Sequence, residues 1–443
     1  MFEKASGDIV QAIQALKESR PEATAELRSL IVDLASSLVG CEHYCTSYAL
    51  THPFDRAQYQ VDDVLALLYH DFRGCHSRES PHKFLHVNIN DAASTSVERF
   101  RLGPLNLPRL FIGLWQLSSP AWGSACSRKQ DNALIELVQS GLYAADMADH
   151  YGDAELIFGS FRHRFVGESC PRMVAATKWC VFRPLESGGT RGIVLAAVQE
   201  RCRRLNGRVE LLQFHWYDYD DKQYLEVLRE LVALTKTRPD LVSSIGLCNF
   251  DAEHTQEACE YLLGKTGEVG VVSNQVQYSL IDSRPMWKMA GVCHKYNIKL
   301  LTYGSFCGGF LSDRWLNKPF PDVYSEALAL TPSQRKYFDM IMTWGNWNDL
   351  QKLLQTLRVI ADKHRVGISS VAARWVLERP AVGAVIVGTR LGISSNVQDN
   401  LKIFSFSLTD EDLQKISCVA TMDKARSVWN RVGDCGHEYR DMY

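Results

Sequence analysis

The chain has 443 residues, 46% of them hydrophobic and 23% charged, with 49 basic and 51 acidic side chains and a formal net charge of −2. This is the composition of a folded soluble protein, long enough for one large domain with an extension or for two to three average ones. The balanced charge supplies no basic excess of the kind that nucleic acid or an anionic membrane surface would call for, so neither is expected as a partner.

The first twenty residues lack the basic head and apolar core of a signal peptide. No apolar run approaches the roughly 20 residues of a membrane span. The thirteen cysteines are scattered singly, which fits free thiols in a reducing cytoplasm. Residues 1–96 form a helical extension in this reading. Ile9, Val10, Ile13 and Leu16, then Leu27, Leu30, Ile31 and Leu34, recur at helical spacing. Pro21 stands where it would open the second of these helices. Val61–Tyr69 reads as a third helix and His76–Pro81 as a loop. Cys41, His43 and Cys45, with Cys75-His76 further on, match no standard zinc spacing, so ordinary thiols and no metal site are expected. The extension carries no catalytic motif; a protein partner, if there is one, would bind through it.

From residue 97 to 443 the pattern alternates. Phe100–Pro108 suggests a hairpin turning at Gly103-Pro104, suited to plug the N-terminal mouth of a barrel. Eight apolar runs then read as strands: Arg109–Leu117, Leu142–Ala148, Met173–Trp179, Val209–Trp216, Val242–Phe250, Val269–Tyr278, Lys299–Gly304 and Val382–Thr389. Amphipathic stretches separate them, among them Gln130–Gln139, Ile193–Leu205, Tyr224–Thr235, Thr255–Leu263, Pro285–Tyr296 and Leu350–His364. Continuous apolar strands mean a parallel sheet covered on both faces, and eight units point to an α/β (β/α)8 TIM barrel. The glycine-rich dinucleotide fingerprint does not follow the first strand, which argues against a Rossmann domain. Ser305 to about Asn348 is expected to be a long loop overhanging the open mouth as a lid.

Three short stretches end consecutive strands: Asp146-Met147-Ala148-Asp149-His150-Tyr151-Gly152, Thr177-Lys178-Trp179 and Phe214-His215-Trp216. They bring Asp146, Tyr151, Lys178 and His215 to the end of a barrel where chemistry takes place. A free phenol has a pKa of about 10, too high for proton transfer at neutral pH. A neighbouring ammonium favours the phenolate, and a fall of about three units corresponds to roughly 4 kcal/mol. Lys178, held by Asp146, is the candidate to supply it. His215 is expected to donate to a carbonyl oxygen and orient it while Tyr151 protonates the developing alkoxide. Asp149 has no role in this reading.

The order Asp-x-Ala-x-x-Tyr-Gly, Thr-Lys and Phe-His-Trp resembles the aldo-keto reductases, from about Phe100 to about Val419. The resemblance implies a TIM-type barrel that uses NADPH. By it, Tyr151 is the general acid, Lys178 and Asp146 tune it, and His215 binds and polarises the carbonyl. Gly246–Phe250 looks like the family's Gly-x-Ser-Asn-Phe strand end, with Cys248 standing where Ser is usual and Asn249 at the nicotinamide carboxamide. Gln275 is implied at the same carboxamide. Tyr303 matches the aromatic that stacks on the nicotinamide ring, and Gly304 follows it. Ser305–Phe310, with Gly308 in it, looks like the loop that wraps the pyrophosphate. Gly388, Thr389 and Arg390, with Asn396 and Asn400, resemble the segment that holds the adenosine half, and Arg390 is the charge for a 2′-phosphate. Asn396 stands about where many members have Arg or Lys, so NADH is not excluded.

Trp115, Trp179 and Trp216 lie at or near strand ends and are the candidate walls for an apolar or ring-bearing carbonyl substrate. Trp344 and Trp347 would either close the pocket or bury the long loop. The expected function is reversible NADPH-dependent reduction of an aldehyde or ketone, with a specialised-metabolite pathway as one setting. The alternative is a nucleotide-binding regulatory or scaffolding subunit built on the same barrel.

Overall fold

The computed structural model describes residues 85–86, 97–119, 122–123, 125–166, 173–185, 189–321, 330–420 and 423–440. The helices expected before residue 81, and the Cys41–His76 cluster, lie outside the described residues. A two-residue strand, β1 (Leu85–His86), pairs in parallel with β6 (Phe165–Val166). No helix among the described residues is long and apolar enough to cross a membrane.

The hairpin forms as its turn residues dictate: β2 (Arg99–Leu102) and β3 (Leu105–Pro108) pair antiparallel around Gly103-Pro104. Leu102 and Leu107 join Phe111, Tyr143, Ala144, Val174, Ala176, Leu211, Leu301 and Ala384 in one buried cluster. These residues fill the lower interior of a closed barrel, so the hairpin plugs it with apolar surface.

All eight barrel strands are parallel: β4 (Leu110–Gly113), β5 (Ala144–Asp146), β7 (Val174–Val181), β8 (Val209–Trp216), β9 (Val242–Cys248), β10 (Val271–Gln277), β11 (Lys299–Tyr303) and β12 (Val382–Gly388). They follow one another around the barrel in chain order, with β12 closing on β4. Each lies inside an apolar run of the sequence, except that β7 runs on past Trp179 to Val181. The first is shorter than expected: the chain leaves the sheet at Gly113 and turns into a 3-10 segment at Trp115–Ser118.

The helices α1 (Ser127–Gln139), α2 (Ala154–Arg164), α3 (Thr190–Arg204), α4 (Gln223–Thr237) and α5 (Ala252–Thr266) cover the first strands. Asp251 caps α5 by accepting from the His254 N–H at 2.8 Å, and Gly267 ends it in the left-handed region. The stretch expected to be one helix from Pro285 splits into a 3-10 turn (Arg284–Met286) and α6 (Met289–Tyr296).

The segment after β11 is mainly helical, which corrects the expected long loop. Thr331 and Gln334 form a capping box around Pro332 at the first turn, and α7 runs from Pro332 to Trp344. Asn346 caps α8 (Trp347–His364), and α9 (Ile368–Leu377) follows. Trp344 donates to the Ala420 carbonyl at 3.0 Å and Trp347 to the Lys318 carbonyl at 2.8 Å. Both indoles are buried, Trp347 against Phe310, Trp315 and Phe338. They pack the insertion onto the barrel rather than closing a pocket. The chain ends with α10 (Val397–Leu401), α11 (Asp410–Ala420), α12 (Asp423–Val432) and a turn at His437–Tyr439.

Candidate active site

Side chains alternate across a strand, so the inward position of one residue fixes its neighbours. On β8 Leu211 lies in the inner cluster while Leu212, Phe214 and Trp216 lie in the outer one. Gln213 and His215 therefore point inward. On β7 the same parity turns Val174, Ala176, Lys178 and Cys180 inward and Trp179 outward. Asp146 is the inward residue at the end of β5. The register of β10 shifts between Val271 and Asn274, which turns Asn274 out toward Phe250 and Thr255 and Gln275 in.

These inward residues meet at one buried carboxylate. Asp146 Oδ2 accepts from Lys178 Nζ at 2.7 Å, and Oδ1 accepts from Gln213 Nε2 at 2.8 Å and Gln275 Nε2 at 2.7 Å. Gln275 Nε2 also donates to Gln213 Oε1 at 2.7 Å. Lys178 adds a bond to the Met147 carbonyl at 2.8 Å and reaches the Tyr151 hydroxyl at 3.4 Å. Gln213 has no part in the sequence reading; its signal was an inward amide two residues before His215.

The turn that carries Tyr151 is held from outside the barrel. Gly152 sits at φ +55°, a conformation that disfavours a side chain, and its carbonyl accepts from Arg204 at 2.8 Å. Glu155, fully buried, accepts from Thr177 Oγ1 at 2.6 Å and pairs with Arg204 at 2.7 Å and Arg201 at 3.2 Å. Thr177, the outward neighbour of Lys178, thus ties the strand bearing the ammonium to the turn bearing the phenol.

Burial raises the Tyr151 phenol above its ordinary value; Lys178 opposes this and Asp146 reinforces it. The expected lowering toward neutrality is therefore absent in this state, and Tyr151 stands protonated. Burial alone would lower the Lys178 ammonium, but Asp146, Tyr151 and Cys248 together outweigh it and hold Lys178 above its ordinary range. His215 is pushed down to about 4 by burial and is neutral at physiological pH. Its Nδ1 lies 3.1 Å from the Cys248 carbonyl. A carbonyl only accepts, so Nδ1 carries the proton and Nε2 of the neutral ring is an acceptor. His215 in this tautomer suits a hydroxyl hydrogen rather than a carbonyl oxygen, which revises the donor role expected of it.

Among the residues expected at a cofactor, one group gathers at the ends of β9, β10 and β11. Asn249, at φ +57°, donates its N–H to the Gln275 carbonyl at 2.9 Å, and its Oδ1 accepts from Tyr303 Oη at 2.9 Å. Cys248 is a buried neutral thiol, pushed up to about 12 by burial. A second group lies at the end of β12. Gly388 is packed by Gln116, Thr389 donates its N–H to the Gly113 carbonyl at 2.9 Å, and Arg390 Nε donates to the Trp122 carbonyl at 3.0 Å. Asn396 precedes α10 and Asn400 lies on it. In the glycine-rich turn, a Cβ on Gly304 would fall 2.2 Å from Tyr337 Oη, and one on Gly308 3.0 Å from the Ser333 carbonyl. Those glycines make room for α7.

Residues from the far end of the chain also enter the site. Tyr439 Oη lies 3.0 Å from Tyr303 Oη and accepts from Lys336, and its ring faces that of His215 edge-on. The segment is anchored by Arg284, which is 1% exposed and bonds both Asp282 and Glu438 through paired contacts of 2.7–2.9 Å. Arg440 pairs with Asp251 at 2.9 Å and covers Tyr219.

The structure does not bring all three candidate substrate tryptophans to the mouth. Trp216 is buried on the outer face, against Phe214 and Tyr224, and donates to the carbonyls of Asp218 and Asp221. Trp179 is turned outward against Phe214. Trp115, half-buried after β4 and packed edge-on against Trp122, remains at the rim.

The structure is a closed parallel barrel with a buried Lys–Asp pair beside a tyrosine, and the family model for aldo/keto reductases matches residues 109–420. The chain belongs to the aldo/keto reductase family. It is similar to flagellar radial spoke protein 5 of Chlamydomonas reinhardtii, 26% identical over 53% of this chain and 49% of that protein. The chain therefore spans about half the length of that relative. It is also similar to an uncharacterized oxidoreductase of Mycobacterium tuberculosis, 24% identical over 72% of this chain and 90% of the relative. Aldose reductase C of Dictyostelium discoideum is 21% identical over 74% and 92%.

Proposed function

We propose that this chain reduces an aldehyde or ketone to the alcohol, reversibly, with NADPH as the hydride source and Tyr151 as the proton donor. The observation that carries this reading is the Lys178 ammonium, bonded to Asp146 at 2.7 Å and 3.4 Å from the Tyr151 hydroxyl. The protonated phenol donates to the substrate carbonyl oxygen. As its proton leaves, Lys178 faces the tyrosinate and offsets the cost of a buried anion. Asp146 keeps Lys178 charged, and Gln213 and Gln275 keep Asp146 in place. In the reverse direction the Tyr151 tyrosinate takes the hydroxyl hydrogen of the alcohol back.

The residues present fit the nicotinamide cofactor. Asn249 Nδ2 and Gln275 Oε1 have no protein partner among the described residues, and together they offer the donor and acceptor that a carboxamide needs. The terminal nitrogens of Arg390 are likewise unpartnered among the described residues, and a guanidinium suits a 2′-phosphate. NADPH, when bound, supplies the hydride. The free thiols among the described residues suit a reducing compartment such as the cytoplasm. A scaffolding role is the second reading, favoured by the similarity to a radial spoke protein. Fluorescence titration with NADPH and NADH, followed by a carbonyl panel monitored through NADPH oxidation, tests the proposal. Tight NADPH binding with turnover of some carbonyl is the expected result; binding without any turnover favours the scaffold.

A further inference from the structure

Asp149 and Cys180 have no place in the chemistry above, yet they stand beside it with His150. Asp149 Oδ1 lies 3.1 Å from His150 Nδ1, and Asp149 Oδ2 accepts from the Cys180 N–H at 2.9 Å. One carboxylate oxygen, one imidazole nitrogen and the Cys180 sulfur all fall within 4.8 Å of one another. Bonds of about 2.0 Å to nitrogen and oxygen and 2.3 Å to sulfur put tetrahedral ligand atoms roughly 3.3–3.7 Å apart. His150 is exposed on one side, and a turn of its ring against Tyr151 and Phe182 would close the difference of about 1 Å.

We propose that Asp149, His150 and Cys180 form a binding site for one thiophilic divalent cation, Zn2+ or Cd2+, at the rim of the barrel mouth. Carboxylate, imidazole and thiolate are the ligand types zinc takes, and three protein ligands leave a fourth position for water. Coordination converts the Cys180 thiol to thiolate and releases its proton to solvent. The nearby Arg201 lies 3.6 Å from Asp149 but also pairs with Glu155 at 3.2 Å, so its charge is shared away from the site. The His150 ring packs edge-on against Tyr151, with centroids 4.8 Å apart, and Cys180 lies two residues beyond Lys178. A bound cation would therefore tie the turn carrying Tyr151 to the end of the strand carrying Lys178, fixing the proton donor against its tuning partner.

The test is a stoichiometry measured on the purified full chain, because other cysteines also bind soft metals. Zn2+ is titrated in competition with a chromophoric chelator, and Cd2+ is added separately to follow thiolate charge-transfer absorption in the ultraviolet. The wild-type chain is expected to bind one equivalent more than Cys180→Ser and one more than His150→Gln, and the cadmium–thiolate band is expected to weaken in Cys180→Ser. Equal stoichiometry in the wild type and both variants overturns the proposal, and so does loss in only one of them. His150 is exposed, so its variant keeps the fold and the comparison interpretable. The readout needs no turnover, so it stands or falls independently of the reductase reading.

Discussion

Lys178→Met removes the ammonium that, alone among the described residues, reaches the phenol of Tyr151. With an effective dielectric of about 20, unit charges at the observed 3.4 Å attract by about 5 kcal/mol. Asp146 carries the opposite sign and cancels part of this for the tyrosinate, leaving about 2–4 kcal/mol of stabilisation to lose. At about 1.4 kcal/mol per factor of ten, the proton-transfer step slows by roughly 30- to 1000-fold. Single-turnover NADPH oxidation at saturating carbonyl, at pH 7, reads that step directly. The same substitution leaves Asp146 with donors from Gln213 and Gln275, so the folding penalty falls below the roughly 3–5 kcal/mol of a buried pair broken outright. Chemical denaturation and NADPH binding establish that the variant is folded and loaded. A folded, loaded variant whose rate falls less than about threefold refutes the argument that Lys178 stabilises the phenolate.

Two further outcomes are expected. His215, neutral and held down to about 4 against an unfolded value of about 6.5, keeps its full contribution to stability above pH 6.5 and loses it as pH falls toward 4. That slope amounts to roughly 3 kcal/mol and should vanish from pH-dependent denaturation of His215→Phe, whereas an unchanged slope would assign the acid sensitivity to other groups. Trp216→Phe, on the outer face, should cost roughly 1–2 kcal/mol through its lost indole hydrogen bonds while KM stays constant, whereas Trp115→Ala should raise KM with little change in stability. A raised KM in Trp216→Phe would contradict the outward placement.

Much of this protein is legible in one sequence because its elements obey simple periods. Eight apolar runs separated by amphipathic stretches become eight parallel strands in chain order, since consecutive βα units lie beside one another. Asp146, Lys178 and His215 are legible together because ionisable residues at the same end of consecutive strands are not something packing alone requires. Of the three candidate tryptophans, Trp179 and Trp216 leave the pocket because strand side chains alternate. If Lys178 and His215 face inward, Trp179 and Trp216, one residue on, face outward. The expected lid was misread for a local reason: Thr331-Pro332-Ser333-Gln334 spells a helix start, and α7 begins there. Gln213 carried a signal in its parity with His215. Tyr439 and Lys336 carried none, because their place beside Tyr303 and His215 depends on contacts more than a hundred residues apart, anchored by Arg284 on Glu438. The direction of the Tyr151 shift was equally out of reach, since it depends on how deeply the ring is buried.

The central claim is that Tyr151 gives up the proton. Tyr151→Phe keeps the ring and removes only the hydroxyl, so NADPH affinity should stay within about twofold while turnover of a substrate from the carbonyl panel falls roughly 10²- to 10⁴-fold. Turnover within threefold of the wild type, with the cofactor bound, would contradict it.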